Sequence, residues 1–261
     1  MTRLLWDQVG DRSFQAGLDR GVLYLPDGTV APWNGLTELD EKFNIEMKSY
    51  YQDGIKYLDY QAMGEFTGTL KALTYPEEFE QCIGLSSRGS GLVFHDQRPK
   101  AFGLCYRVKN GDDVSGTDGD YTIHLLYNLR AVPSDISNTS ISDSPSPVEF
   151  AWDLTSTPEF ATGHRPTAHV SIKSKDLDFG MINVIEDILY GTSNEPPYLP
   201  SLAELVDTID NPVTIIDNGD GTWTASGSAT AVSLLNPTTF QVKGIPVNVI
   251  DADTYQIETT A

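Results

Sequence analysis

The feature that most constrains this chain is strict two-residue alternation, repeated in segment after segment. In IKYLDYQAMGEFTGTLKALTY the even positions Leu58, Tyr60, Ala62, Phe66, Leu70 and Ala72 are apolar, while Asp59, Gln61, Glu65, Thr67, Thr69 and Lys71 between them are polar. Side chains of a strand point to opposite faces in turn, so the pattern predicts one long strand from Ile55, buried on one face. Gly64 and Gly68 are its expected bends or bulges. Phe102, Leu104, Tyr106 and Val108 alternate in the same way with Gly103, Cys105 and Arg107. Tyr121, Ile123, Leu125, Tyr127 and Leu129 alternate with Thr122, His124, Asn128 and Arg130. Val148, Phe150, Trp152 and Leu154, and then Ala168, Val170 and Ile172, continue the theme. Such segments describe antiparallel sheets with one face on the core and one in water. Upstream, GVLYLPDGTVAPW reads as a hairpin closed by Pro26-Asp27-Gly28.

Helical periodicity is confined to Lys175–Tyr190, where Leu177, Met181, Val184, Ile185, Ile188 and Leu189 form a single stripe. Ser174 is placed to cap it, Asp176 and Asp178 suit the positive end of its dipole, and Gly191 can end it. Short helical turns are expected at Pro76–Gln81 and at Leu202–Val206, the latter behind the capping-box pair Ser201 and Glu204. After Asp210-Asn211-Pro212 the chain becomes short β-prone runs between turns, Asn218-Gly219-Asp220-Gly221 foremost. The expectation is a mainly β (α+β) fold: a main domain over residues 1–211 with one principal helix, and a small all-β module over 212–261.

Charge narrows the function classes. Asp and Glu number 37 against 17 Lys and Arg, for a formal charge of −20. Stable DNA binding needs cations that displace phosphate counterions, so it is disfavoured. No window reaches 18 uninterrupted apolar residues, so no membrane span is expected. MTRLLWDQVGDRSF holds too short an apolar cluster for a signal-peptide core, which predicts synthesis in the cytoplasm. Cys82 and Cys105 are too few for a disulfide framework and lack metal-site spacing, and two reduced core thiols are expected.

Catalytic patterns are missing. His95, His124, His164 and His169 are scattered, and His124 and His169 fall on the polar faces of their strands, where solvent is the expected surrounding. Neither a nucleophile elbow, a H-E-x-x-H pair nor a P-loop occurs. The carboxylates of Gly111–Asp120 lack the EF-hand order and read as a solvated hairpin loop. No catalytic residue, metal ligand or cofactor is therefore expected, and the chain does not read as an enzyme. Interface signals are stronger. Residues 38–53 read as a long inter-strand loop that mixes Glu38, Asp40, Glu41, Lys42, Glu46 and Lys48 with Phe43, Tyr50 and Tyr51. A loop carrying that much apolar area calls for a docking partner. The arm over residues 1–16 carries Leu5, Trp6 and Phe14 in polar sequence.

GLDRGVLYLPDG with PWNGL, then DGIKYLDY, LKALTYPEEFEQC, KAFGLCYRV, DYTIHLLYNLRAVPS, EFAWDLTSTP, RPTAHVSI and IEDILYGT occur in this order. The ordered series resembles the major tail protein, or tail tube protein, of long non-contractile tailed bacteriophages and prophages of Gram-positive hosts, over residues 1 to about 206. The resemblance implies a β-sandwich or split barrel flanked by a helix. Six copies would form a ring, and rings would stack into an acidic tube around the tape measure protein. Tail terminator and distal tail proteins would close its ends, and DNA would pass through without stable binding. It implies a place in the virion tail after synthesis in the host cytoplasm. The arm (Leu5, Trp6, Phe14) and the loop (Glu38 to Tyr51) are then candidate ring-to-ring contacts, with Glu46 and Lys48 able to pair across rings. The competing reading is an acidic β-sandwich binding module that recognises a host-surface glycan or partner.

Overall fold

The computed structural model describes residues 6–10, 12–43, 47–61, 65–87, 89, 91–117, 119–134, 147–161, 163–177, 179–193, 195–210, 214–217, 223–226, 232–236, 239–242, 245–251 and 254–257. Beyond residue 210, and at Phe43, Gln61 and Phe179, the description is of the backbone. The chain divides into two compact units, Met1–Lys173 and Ser174–Ala261.

In the first unit, β1 (Ser13–Tyr24) turns into β2 (Val30–Trp33) at Pro26–Gly28. Gly28 sits at φ +85° and its N–H donates to the Leu25 carbonyl at 3.0 Å, so the expected hairpin is present. There follow β3 (Leu36–Phe43), β4 (Met47–Gln52), β5 (Ile55–Gln61), β6 (Phe66–Ala72), a 3-10 turn at Glu77–Cys82, and the short pair β7 (Ser86–Ser87) and β8 (Val93–Phe94). The long strands β9 (Phe102–Asp112) and β10 (Tyr121–Pro133) come next, then β11 (Phe150–Ser156) and β12 (His169–Lys173). One antiparallel sheet runs in the order β2-β1-β9-β10-β11-β6-β3, and β12 pairs with the first half of β10.

The pivot of this sheet is Asn128. It lies in β10 at φ +51°, where the register against β9 slips between Leu126 and Leu129. Before that slip β10 lies between β9 and β12, and after it β11 takes the place of β12. The bend turns the sheet back so that Glu41 of β3 meets Tyr106 of β9. The enclosed core joins Trp33, Leu70, Phe79, Phe102, Leu104, Leu126, Trp152 and Leu154. Trp33 and Phe79 ring centroids are 4.4 Å apart, Phe79 and Trp152 5.2 Å, and the Trp33 indole N–H donates to the Thr74 carbonyl at 3.0 Å. Each such ring pair contributes about 0.5–1.5 kcal/mol beyond its buried area, so the first hairpin is riveted to the core through Trp33.

Three expectations are corrected. The single strand expected from Ile55 onwards is two: β5 pairs only with β4 among the described residues, while β6 belongs to the main sheet. Leu58 and Tyr60, expected in a core, are exposed, and Gly64 lies outside the described residues. Gly68 is no bulge, for it keeps register with Glu41 on one side and Leu154 on the other. Residues 38–53 are no loop either. Residues 38–43 run within β3 against β6, which takes up the backbone hydrogen bonds of one side, and β4 follows.

The one-wet-face expectation fails around β10. Pairing sets Leu104 opposite Leu126, Tyr106 opposite His124 and Val108 opposite Thr122. The apolar face of β9 therefore shares a side with the polar face of β10. Leu104, Tyr106 and Leu126 are buried on that side, and Cys105, Ile123 and Leu125 on the other.

In the second unit, Ser174 heads a 3-10 turn (Ser174–Asp176) and α1 (Phe179–Tyr190) begins later than its periodicity suggested. Its stripe Met181, Ile185, Ile188 and Leu189 is buried, and Gly191 at φ +79° ends it with an N–H to Asp187 bond of 2.9 Å. α2 (Leu202–Asp210) is capped as expected, Ser201 Oγ accepting from the Glu204 N–H at 3.2 Å, and it is longer than the turn foreseen. β13 (Thr214–Asp217) pairs with β14 (Trp223–Ser226). β15 (Val232–Asn236), β16 (Thr239–Val242), β17 (Ile245–Asp251) and β18 (Thr254–Ile257) form an antiparallel meander. The molecule is thus mainly β with few helices, as the alternation foretold.

Candidate functional site

Two places in the first unit carry more than packing requires. The first is the ribbon of β4 and β5. Asp53 and Gly54, at φ +52° and +77°, make its two-residue turn, the conformation an Asp-Gly pair favours between twisted strands. Ser49 bonds Asp59 across it, Lys56 pairs with Asp59 along β5, and Tyr50 stacks on Tyr60 at 5.8 Å. Every residue from 47 to 60 is exposed. Ile55, Tyr57 and Tyr51 stand at 73%, 75% and 68% exposure, joined by Met47, Tyr50, Leu58 and Tyr60. A two-stranded hairpin alone is marginal in water, and an apolar surface of this kind marks a site of interaction.

Of the residues expected to make interfaces, Lys48, Tyr50 and Tyr51 lie on this ribbon, while Glu38, Asp40, Glu41, Lys42 and Phe43 lie on β3 in the main sheet. Glu38 is exposed and pairs with Lys71 at 2.5 Å. Asp40 and Lys42 are exposed, and Glu41 is turned inward. Trp6 is exposed, and Phe14 is part of β1, paired opposite Gly111, rather than of a separate arm. Leu5 and Glu46 lie outside the described residues, as does the side chain of Phe43.

The second place is buried, and it corrects the solvated reading of two histidines. On β3, Leu39 and Glu41 face inward, opposite Leu70 and Gly68 of β6. Glu41 meets Tyr106, His124 and His169, from β9, β10 and β12. The Tyr106 hydroxyl donates to Glu41 Oε1. His124 Nδ1 and His169 Nε2 share a hydrogen bond of 2.9 Å. Glu41 Oε1 is 3.7 Å from His124 Nδ1, and Oε2 is 3.5 Å from His169 Nδ1. The Tyr106 ring stacks on His124 at 4.8 Å, His124 on His169 at 5.1 Å, and Phe66 meets His169 edge-on at 5.6 Å. Only 15–18% of the Glu41, His124 and His169 side chains is exposed.

Burial governs the electrostatics. It pushes His124 down to about 4, with His169 acting in the same direction and Glu41 opposing. Burial lowers His169 too, against the pull of Glu41. Tyr106 is raised, first by burial and then by its bond to Glu41. Both imidazoles are therefore neutral at pH 7, and their contacts with Glu41 are not true ion pairs. The signal for it was present in LEU-x-GLU-x-PHE alternation across residues 39–43, which places Glu41 on an apolar face once the segment is taken as a strand.

Elsewhere, Asp112 Oδ1 accepts from the N–H groups of Val114 and Ser115 at 2.8 and 2.5 Å, so the acidic segment is a hydrogen-bonded β9–β10 connection. Cys82 and Cys105 are separate buried thiols, and burial pushes Cys82 up to about 12.

No protein-family profile matches the chain, and no match is found among curated proteins. Among solved structures, the sheath–tube complex of an extracellular contractile injection system (PVC) in the extended state is similar at 11% identity, covering 59% of this chain and 88% of that one, TM-score 0.33. The tube-terminating cap of the anti-feeding prophage is 10% identical, covering 67% and 97%, TM-score 0.35. The baseplate structure of the same particle is 9% identical, covering 65% and 97%, TM-score 0.33. Likeness at this level sets neither fold nor function, which rest on the residues described above.

Proposed function

We propose that this protein is a structural subunit of a phage tail tube, six copies forming a ring and rings stacking into an acidic channel around the tape measure protein. Terminator and distal tail proteins would complete the ends, and the chain would perform no reaction. The observation that carries the reading is the β4–β5 ribbon, an ordered hairpin with apolar and aromatic side chains on both faces and no partner sheet among the described residues. Such a hairpin is costly in a lone monomer and well used when it lies on the neighbouring ring. The main sheet supports the same reading. It does not close on itself, and β3 pairs only with β6 among the described residues, leaving an edge that a second copy can extend. The charge of −20 suits a wall along which DNA slides. The motif series quoted above points the same way. A glycan-binding role would instead need an aromatic platform after residue 212, where side chains lie outside the described residues.

Negative-stain microscopy of the concentrated full-length protein tests the proposal, with tubes or stacked rings as the expected sight. The triple variant Tyr51→Ser, Ile55→Ser, Tyr57→Ser should keep the far-UV circular dichroism of the parent and lose the tubes. Tubes of normal length from that variant would remove the hairpin from the interface.

A further inference from the structure

The inward-facing cluster has no task in tube building, and its chemistry is that of a metal site. We propose that Glu41, His124 and His169 bind one divalent transition-metal ion, zinc foremost, which fastens the edge strand β3 to the middle of the sheet at β10 and β12. Four observations carry this. Two imidazoles and a carboxylate are a donor set that zinc and its first-row neighbours favour. One ligand atom from each of the three residues lies within 4.8 Å of the other two. An ion with bonds of about 2.0–2.2 Å in a tetrahedron needs its donors roughly 3.4 Å apart. The histidine nitrogens at 2.9 Å must open slightly and Glu41 Oε1, at 3.7 Å from His124 Nδ1, must close slightly.

The third observation is charge. Among the described residues Glu41 has only the two neutral imidazoles within ion-pair distance and no lysine or arginine, while Lys42 reaches towards Thr69 and Arg107 holds Asp19. A largely enclosed carboxylate with no cation is costly, and a divalent ion supplies the missing positive charge. Fourth, the surroundings hold the donors in place. The Tyr106 hydroxyl orients the carboxylate, and the Tyr106 and Phe66 rings bracket the two stacked imidazoles. All these groups stand on paired strands rather than on loops.

The rival account makes Glu41 only an inward charge that discourages wrong pairing of an edge strand. Zinc titration of the chelator-stripped full-length protein, against a chromophoric competitor, separates the two. One equivalent per chain and a higher unfolding midpoint are expected. Glu41→Gln and His169→Ala should each weaken that equivalent 10-fold or more, while His164→Ala, at an exposed position, should not. X-ray absorption at the zinc edge of the unaltered protein guards against a variant that fails to fold. Two imidazoles in the first shell are expected. Failure to bind zinc, an oxygen-only shell, or equal binding by both variants would overturn the site, and none of these outcomes bears on tube formation.

Discussion

At the scale of single residues, Asp19 and Arg107 make a two-pronged, charge-assisted contact in the first unit. They face each other across β1 and β9, with Nε and Nη2 of the guanidinium each 2.7 Å from a carboxylate oxygen, and the Arg107 guanidinium also lies 4.7 Å from the centre of the Tyr121 ring. Hydrogen bonding to Arg107 holds the Asp19 carboxyl below the usual range, against a smaller opposing effect of burial. A depressed folded pKa stabilises the protein above the unfolded value of about 3.9, and that contribution disappears as pH falls through the folded value. Asp19→Asn should therefore cost about 1.5–3 kcal/mol at pH 7, the worth of hydrogen bonds to a charged group. In urea titrations the gap between variant and parent should narrow below pH 4 as the parent carboxyl takes up its proton. A gap independent of pH would assign the loss to packing instead.

At the scale of elements, close approach of two strands is the point most open to test. A Cβ on Gly68 would sit 2.6 Å from the Asp40 carbonyl oxygen, a backbone atom that no rotamer change can move aside. Gly68→Ala should push β3 off β6 and cost about 1–3 kcal/mol by overpacking. Because β3 carries Glu41, the same change should weaken zinc binding, although residue 68 is no ligand. Unchanged stability and affinity would mean that β3 has room to shift.

The strands, the hairpin at Pro26–Gly28, the stripe of α1 and the Ser201 cap were legible because each is a local signal read along one segment. What was not legible is relative. Alternation tells which side chains share a face of one strand, and says nothing of which face a neighbour aligns with it. Tyr106 and His124 were assigned to opposite kinds of face and stand opposite each other on one. Likewise, the even-position pattern runs unbroken from Leu58 to Ala72 through two strands that belong to different sheets, so parity alone merges them. Asp53-Gly54 was the local mark of the hairpin within what looked like loop followed by strand. The cluster stayed hidden for the same reason, since its three donors are 45 residues or more apart except through the folding of β3 over β10 and β12.

At the scale of the whole molecule, net charge and hairpin act against each other. A ring of six chains, each at −20, gathers on the order of a hundred negative charges, and like-charge repulsion opposes every added copy. The exposed Ile55, Tyr51 and Tyr57 attract only at contact and through exclusion of water, which salt does not screen. Raising ionic strength from 0.01 to 0.15 M shortens the screening length from about 30 to about 8 Å. Repulsion between subunits then weakens while the apolar contact persists. The tube proposal thus predicts that the protein concentration needed for assembly, followed by light scattering, falls several-fold over that range. In the Tyr51, Ile55 and Tyr57 serine variant, added salt should remove the repulsion without producing tubes. If instead salt dissolved tubes of the parent protein, complementary charge pairs would have to hold the rings together. Glu38, Asp40 and Lys42, on the exposed side of β3, would then replace the hairpin as the residues to alter first.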